Sequence, residues 1–149
     1  MNFKQHLYDQ CFTFVEYKLN TIQKAILELQ ESLTTETKSS AGDKHETGRA
    51  MLQLEREKIG QQLAETQKLK EILSKINVTK HSRVVALGSI IYTTQNNYFI
   101  AISSGKLQMK GEDFYAISAH TPMAQLLLGK SVGEEVVFRN ETFSILQII

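Results

Sequence analysis

Residues 8–33 read YDQCFTFVEYKLNTIQKAILELQESL, and their apolar side chains fall at Tyr8, Phe12, Val15, Leu19, Ile22, Ile26, Leu29 and Leu33. Steps of four and three alternate through that series, which is a heptad seam: one stripe of a helix that needs a partner to bury it. A second seam follows from Leu52 through Ile59, Leu63, Thr66 and Leu73, with Arg56 and Lys70 at the intervening positions and Ile72 and Ile76 nearby. Its register is looser. Glu, Gln, Lys and Leu dominate residues 52–76, with no proline and the single glycine Gly60, so the segment still reads as helix. Two helices of about 30 residues, rising about 1.5 Å per residue, would each extend about 45 Å. Neither covers its stripe alone, and folding back is the economical solution. Residues 4–77 are therefore expected to form an antiparallel helical hairpin, the core of a first domain over 1–78.

The composition changes beyond residues 77–82. Short runs rich in Val, Ile, Tyr and Phe at 83–94, 98–103, 114–118, 134–139 and 142–149 predict antiparallel strands, with turns near Asn96-Asn97 and Arg139-Asn140. One segment departs from that pattern. Thr121-Pro122 opens and Gly129 closes an apolar run, the order of cap, first-turn proline and terminal glycine that marks a short helix. An α+β chain is expected, with a helical hairpin followed by a small antiparallel sheet and one helix over 83–149.

The reversal of the hairpin falls in residues 34–48, TTETKSSAGDKHETG, whose one apolar side chain is Ala41. Helix connections are usually about 2–8 residues, so a longer one asks for a reason. Asp43 and Glu46 stand three apart at its end. An Asp cap followed by Glu at the third helical position is close to a capping box, and both charges suit the positive end of a helix. The same pair offers hard oxygen donors suited to Mg²⁺, which typically takes one or two carboxylates plus water and substrate oxygens. The two readings are compatible. Two carboxylates leave an octahedral shell unfinished, so a metal role requires a second macromolecule. Lys44 and Arg49 are candidates for contact with RNA or that partner, whereas Arg56 and Lys58, interspersed with Glu55 and Glu57, read as solvated helix surface.

Seventeen Lys and Arg against sixteen Asp and Glu leave a formal charge of +1, which excludes a broad polyanion-binding field and makes any such contact local. A lone cysteine, Cys11, without neighbours at metal-ligand spacing, excludes an internal disulfide and a zinc site, and reads as a core residue. The start MNFKQHLYDQ carries no signal-peptide pattern, and no run approaches the ~20 apolar residues of a membrane span, so a cytoplasmic, membrane-free protein is expected. Tyr8, Phe12 and Phe14 are expected to pack between the hairpin base and the second domain.

Two motifs resemble the Gre transcript-cleavage factors of bacterial RNA polymerase, over nearly the whole chain. Gly42-Asp43-Lys44-His45-Glu46 has the Gly-Asp-x-x-Glu form of that family's tip loop. Residues 117–130, ISAHTPMAQLLLGK, are similar to its Ile-Ser-x-x-Ser-Pro segment leading to Leu-Leu-Gly-Lys, with Gly133-Glu134 near the usual Gly-Asp. The second motif is the more specific, matching over its length without a gap. The resemblance implies an FKBP-like second domain that docks at the rim of the polymerase secondary channel, with Thr121, Pro122, Gly129 and Lys130 in the docking segment. It implies a coiled coil that enters the channel and carries Asp43 and Glu46 to an Mg²⁺ shared with the polymerase. There the ion would activate a water to attack backtracked RNA, in two-metal hydrolysis with ions about 3.5–4 Å apart. The chain would act as a monomeric accessory factor, completing an enzyme without being one. Thr47-Gly48-Arg49-Ala50 departs from the family's Asn-Ala-Glu-Tyr, which keeps open a secondary-channel regulator that modulates or inhibits polymerase without cleavage. A prolyl isomerase is disfavoured by the absence of tryptophan, and a purely structural coiled coil by the match over 117–130.

Overall fold

Both N-terminal segments rich in helix-forming residues fold as expected, α1 over Phe3–Lys38 and α2 over Asp43–Ser74. The computed structural model describes residues 2–38 and 43–149, and the side chains of 2–35 and 47–149. Asn2 starts α1, its side-chain oxygen accepting the backbone N–H of Lys4 at 2.9 Å and of Gln5 at 3.3 Å. Helix takes up most of the stretch 34–48 that the sequence suggested as a connection, leaving residues 39–42 between α1 and α2. The lack of apolar side chains there removes packing partners but not helicity. Glu and Lys, which recur through the stretch, are good helix formers.

The chain packs as two compact units, Val15–Leu69 and a unit joining Met1–Phe14 to Lys70–Ile149. In the first, Ile22, Leu29 and Ile59 form a buried cluster against which Ala25, Ile26, Leu33, Leu52 and Leu63 pack. Residues early in α1 lie beside residues late in α2, so the pairing is antiparallel. Thr66 is also buried, while Arg56 is exposed as the looser seam predicted.

The second unit is built on a six-stranded sheet in the order β3-β4-β2-β1-β6-β5. Its strands are β1 Ile90–Thr93, β2 Asn97–Ala101, β3 Gly105–Met109, β4 Glu112–Ser118, β5 Glu135–Phe138 and β6 Glu141–Ile148. The sheet is mixed, not purely antiparallel as expected: β2 and β4 run parallel, with Phe99 beside Ala116, because β3 intervenes in sequence and pairs on the outer side of β4. Lys110-Gly111 and Arg139-Asn140, all at positive φ, make the two-residue turns of the β3–β4 and β5–β6 hairpins. Residues 83–89, expected as the start of a strand, contribute only the bridge between Val84 and Ser131.

Four consecutive β2 residues, Tyr98, Phe99, Ile100 and Ala101, are buried, so this strand is covered on both faces. On one face Tyr98 and Ile100 join Ala124 and Leu127 of the short helix α3, Pro122–Leu127, with Ile91, Val136, Phe143, Ile145 and Ile148. Strand register puts Phe99, Ala116, Phe114 and Leu107 on the other. The base of the hairpin lies against this second face, where Cys11 Sγ approaches Ser104 Oγ at 3.5 Å and the Gln10 amide donates to the Gln108 carbonyl at 2.9 Å. Gly88, at φ +90, lets Ile76 in, since a Cβ there would stand 3.0 Å from Ile76 Cγ2. Leu7 and Cys11 are fully buried, whereas Phe12 is 39% exposed and stacks with Tyr8 at 6.4 Å. Tyr8 and Phe14 are half-buried, Phe14 beside Ser104 and Leu107, so the expected packing is corrected at Phe12, while Leu7 and Cys11 take the fully buried positions. Before Val15 helix α1 buries a different stripe, Leu7 and Cys11, within the unit that holds the sheet, and the heptad seam no longer specifies it.

Candidate functional site

Asp43 is the first residue of α2, and Glu46 stands in the same first turn, immediately after the reversal. Backbone N–H groups without intrahelical partners and the positive end of the helix dipole both favour carboxylates there. The side chains of Asp43, Lys44 and Glu46 lie outside the described residues, so their assignment rests on residue chemistry and position. Arg49 follows in the next turn and is exposed. Nearby, Glu28, Glu31, Thr35, Gly48, Met51 and Leu52 line an open hollow between the helices. Among the described residues no group of three or more His, Cys, Asp or Glu is placed to hold a metal ion. The donor set at the tip, two carboxylates, fits a shared Mg²⁺ and does not fit one held by this chain alone.

The segment 117–130 folds as its composition directs. Thr121 caps α3: its hydroxyl oxygen accepts the Ala124 N–H at 3.2 Å and donates to the Ser118 carbonyl at 2.9 Å. Pro122 occupies the start of the helix, where no N–H is needed. Gly129, at φ +84, takes the left-handed conformation that ends the run. Its N–H donates to the Val85 carbonyl at 2.8 Å, and the Lys130 carbonyl accepts the Val85 N–H at 2.8 Å, so Gly129-Lys130 stitches α3 to the strand-like segment before β1. Glu134 then accepts the backbone N–H of Ser131 at 2.6 Å and its hydroxyl at 3.1 Å. These bonds, backbone first, hold its carboxyl below the usual carboxylate range. Thr121, Pro122, Gly129 and Glu134 thus share one piece of local architecture, which leaves Leu126 and Val132 exposed beside it.

Sequence reading missed Lys4. Its side chain is 5% exposed, and Nζ donates to the Lys80 carbonyl at 2.7 Å, while Asn2 Nδ2 donates to the Val78 carbonyl at 2.8 Å. Together they tie the start of α1 to the junction after α2, and burial lowers the Lys4 pKa from its ordinary value. Nothing in the local sequence marks this lysine, since lysine is ordinarily a surface residue.

No protein-family model matches the chain, and no curated protein matches it. Solved structures similar to the chain include the following three. One is the GreA factor homolog 1 (Gfh1) of Thermus thermophilus, at 18% identity over 95% of this chain and 94% of that one, with a TM-score of 0.35. A structure of the transcription factor Gfh1 has 19% identity over 95% and 92%, with a TM-score of 0.35. Thermus aquaticus Gfh1 has 21% identity over 95% and 92%, with a TM-score of 0.33. Superposition of this quality carries no weight for what the chain does, which is argued from its own residues. Among the described residues, no helix is long and apolar enough to cross a membrane.

Proposed function

We propose that this chain binds bacterial RNA polymerase at its secondary channel and carries Asp43 and Glu46 to the active centre, where they help to hold an Mg²⁺ and stimulate the polymerase's own cleavage of backtracked RNA. One arrangement supports the reading above all: an acidic pair in the first turn of the second helix of an antiparallel hairpin, in a chain whose segment 117–130 has the form of the Gre docking motif. The pair offers oxygen donors, the positive end of a helix favours their charge, and the unfinished ligand set calls for a second molecule. When held there, the ion supplies the charge that makes water nucleophilic toward a phosphodiester. Lys44 and Arg49, close to the pair in sequence, supply the positive charge that meets phosphate or polymerase, and Thr121, Pro122, Gly129 and Lys130 belong to the docking segment.

A second reading is favoured by one observation. Gly48 and Arg49 replace a helix-forming and an acidic position of the family pattern, which loosens the first turns of α2 and adds positive charge beside the carboxylates. On that reading the chain occupies the channel and slows polymerase without cleavage.

The test is RNA shortening in elongation complexes stalled in a backtracked position. Adding the protein is expected to accelerate shortening, and the double variant Asp43→Asn, Glu46→Gln to return it to the polymerase's own rate. Asn caps a helix about as well as Asp, and Gln replaces Glu in a capping box, so folding and polymerase binding are expected to persist. Undiminished cleavage by the double variant rejects the carboxylate site. Binding with inhibition but no cleavage by the unmutated chain selects the second reading.

A further inference from the structure

Helix α2 has two weak points a little under two turns apart, Gly60 and Thr66. Gly60 stands in mid-helix, where glycine lowers helix stability relative to alanine, yet nothing requires it: a Cβ there would meet no atom within 4 Å. Beside it lies a hollow of 270 Å³ lined by Ile26, Leu29, Leu33, Arg56, Ile59 and Gly60. The seam position that would fill this region carries Arg56, which is exposed. Two turns on, Thr66 occupies the heptad position between Ile59 and Leu73 and is 3% exposed. Its hydroxyl donates at 2.8 Å to the Gln62 carbonyl of its own helix, a back-bond that bends helices and adds nothing across the interface. Around Thr66 a second hollow, of 550 Å³, opens among Tyr17, Thr21, Ile22, Glu65 and Leu69. Atoms lining such hollows have no partner on one side and forfeit the dispersion that would resist their separation. Leu63, half-buried, packs against the cluster of Ile22, Leu29 and Ile59, and Leu73 is fully buried toward the other end.

We propose that residues 60–66 of α2 form a bending point, at which the tip end of the hairpin changes direction while the seam on either side stays closed. The proposal deepens the functional reading above, because two carboxylates that must meet ligands fixed in another molecule gain from a compliant mounting. Hydrogen exchange on the free, full chain tests it without polymerase, so it can fail while the polymerase reading stands, and the reverse. Amides of residues 60–66 are expected to exchange about tenfold faster than those of both 52–58 and 69–73. Gly60→Ala, which has room for its methyl group, is expected to slow exchange at 60–66 about fivefold and leave 69–73 unchanged. A smooth fall in exchange from tip to base overturns the proposal, as does a Gly60→Ala variant whose 60–66 amides exchange as before.

Discussion

Among the described residues, Lys4 carries a pH signature that burial sets. Its ammonium is buried with the Lys80 carbonyl as acceptor, and desolvation lowers its pKa below 10.5 in the folded chain. Between the lowered folded value and 10.5 the unfolded chain binds more protons than the folded one, so this group makes stability rise with pH across that window. Below the window the burial cost is present in full. Urea unfolding of the parent and of Lys4→Met, compared from pH 8 to 10.5, is expected to show the parent gaining stability relative to the variant as pH rises. A constant difference would mean that the lysine is not desolvated. The tip is the opposite case in legibility: Asp43 and Glu46 are conspicuous in sequence because their spacing and helix-start position are local properties, whereas the environment of Lys4 depends on residue 80, far along the chain.

Among the elements, the hairpin was readable because heptads report the partner surface directly, and Ile22, Leu29 and Ile59 are buried where the seam put them. The strands rich in Val, Ile, Tyr and Phe were readable for the same kind of reason. Strand β3, GKLQM, was not, since one Leu and one Met give it little β-propensity; its place comes from the Lys110-Gly111 turn and from pairing with β4. The parallel contact of β2 with β4 joins strands separated by β3, and no local pattern encodes it. Helix α3 was fully legible, because cap, proline and glycine are each local signals. Its cap leads to a quantitative expectation: Thr121→Ala should cost about 1 kcal/mol, with Thr121→Ser close to neutral, in urea unfolding at neutral pH. Equal loss in both variants would point to packing of the threonine methyl and not to the hydroxyl bonds with Ala124 and Ser118.

For the molecule as a whole, the sequence divides the chain where composition changes, near residue 78, while packing divides it within the helices, leaving Val15–Leu69 as one unit and the helix bases with the sheet as the other. The two divisions differ because the helices bury one another over Val15–Leu69, while Leu7, Cys11 and Ile76 near their outer ends are buried in the sheet unit. The chemistry proposed for the chain depends on the tip of the first unit reaching the catalytic centre of another protein. A photo-crosslinking residue at Thr47, exposed and next to Glu46, tests this in a stalled elongation complex. Crosslinks to the RNA 3′ end or to the catalytic subunit beside it are expected, and they should disappear when the complex is not backtracked or the channel is blocked. Efficient binding with crosslinks confined to the outer surface of the polymerase would contradict the proposed function under either reading.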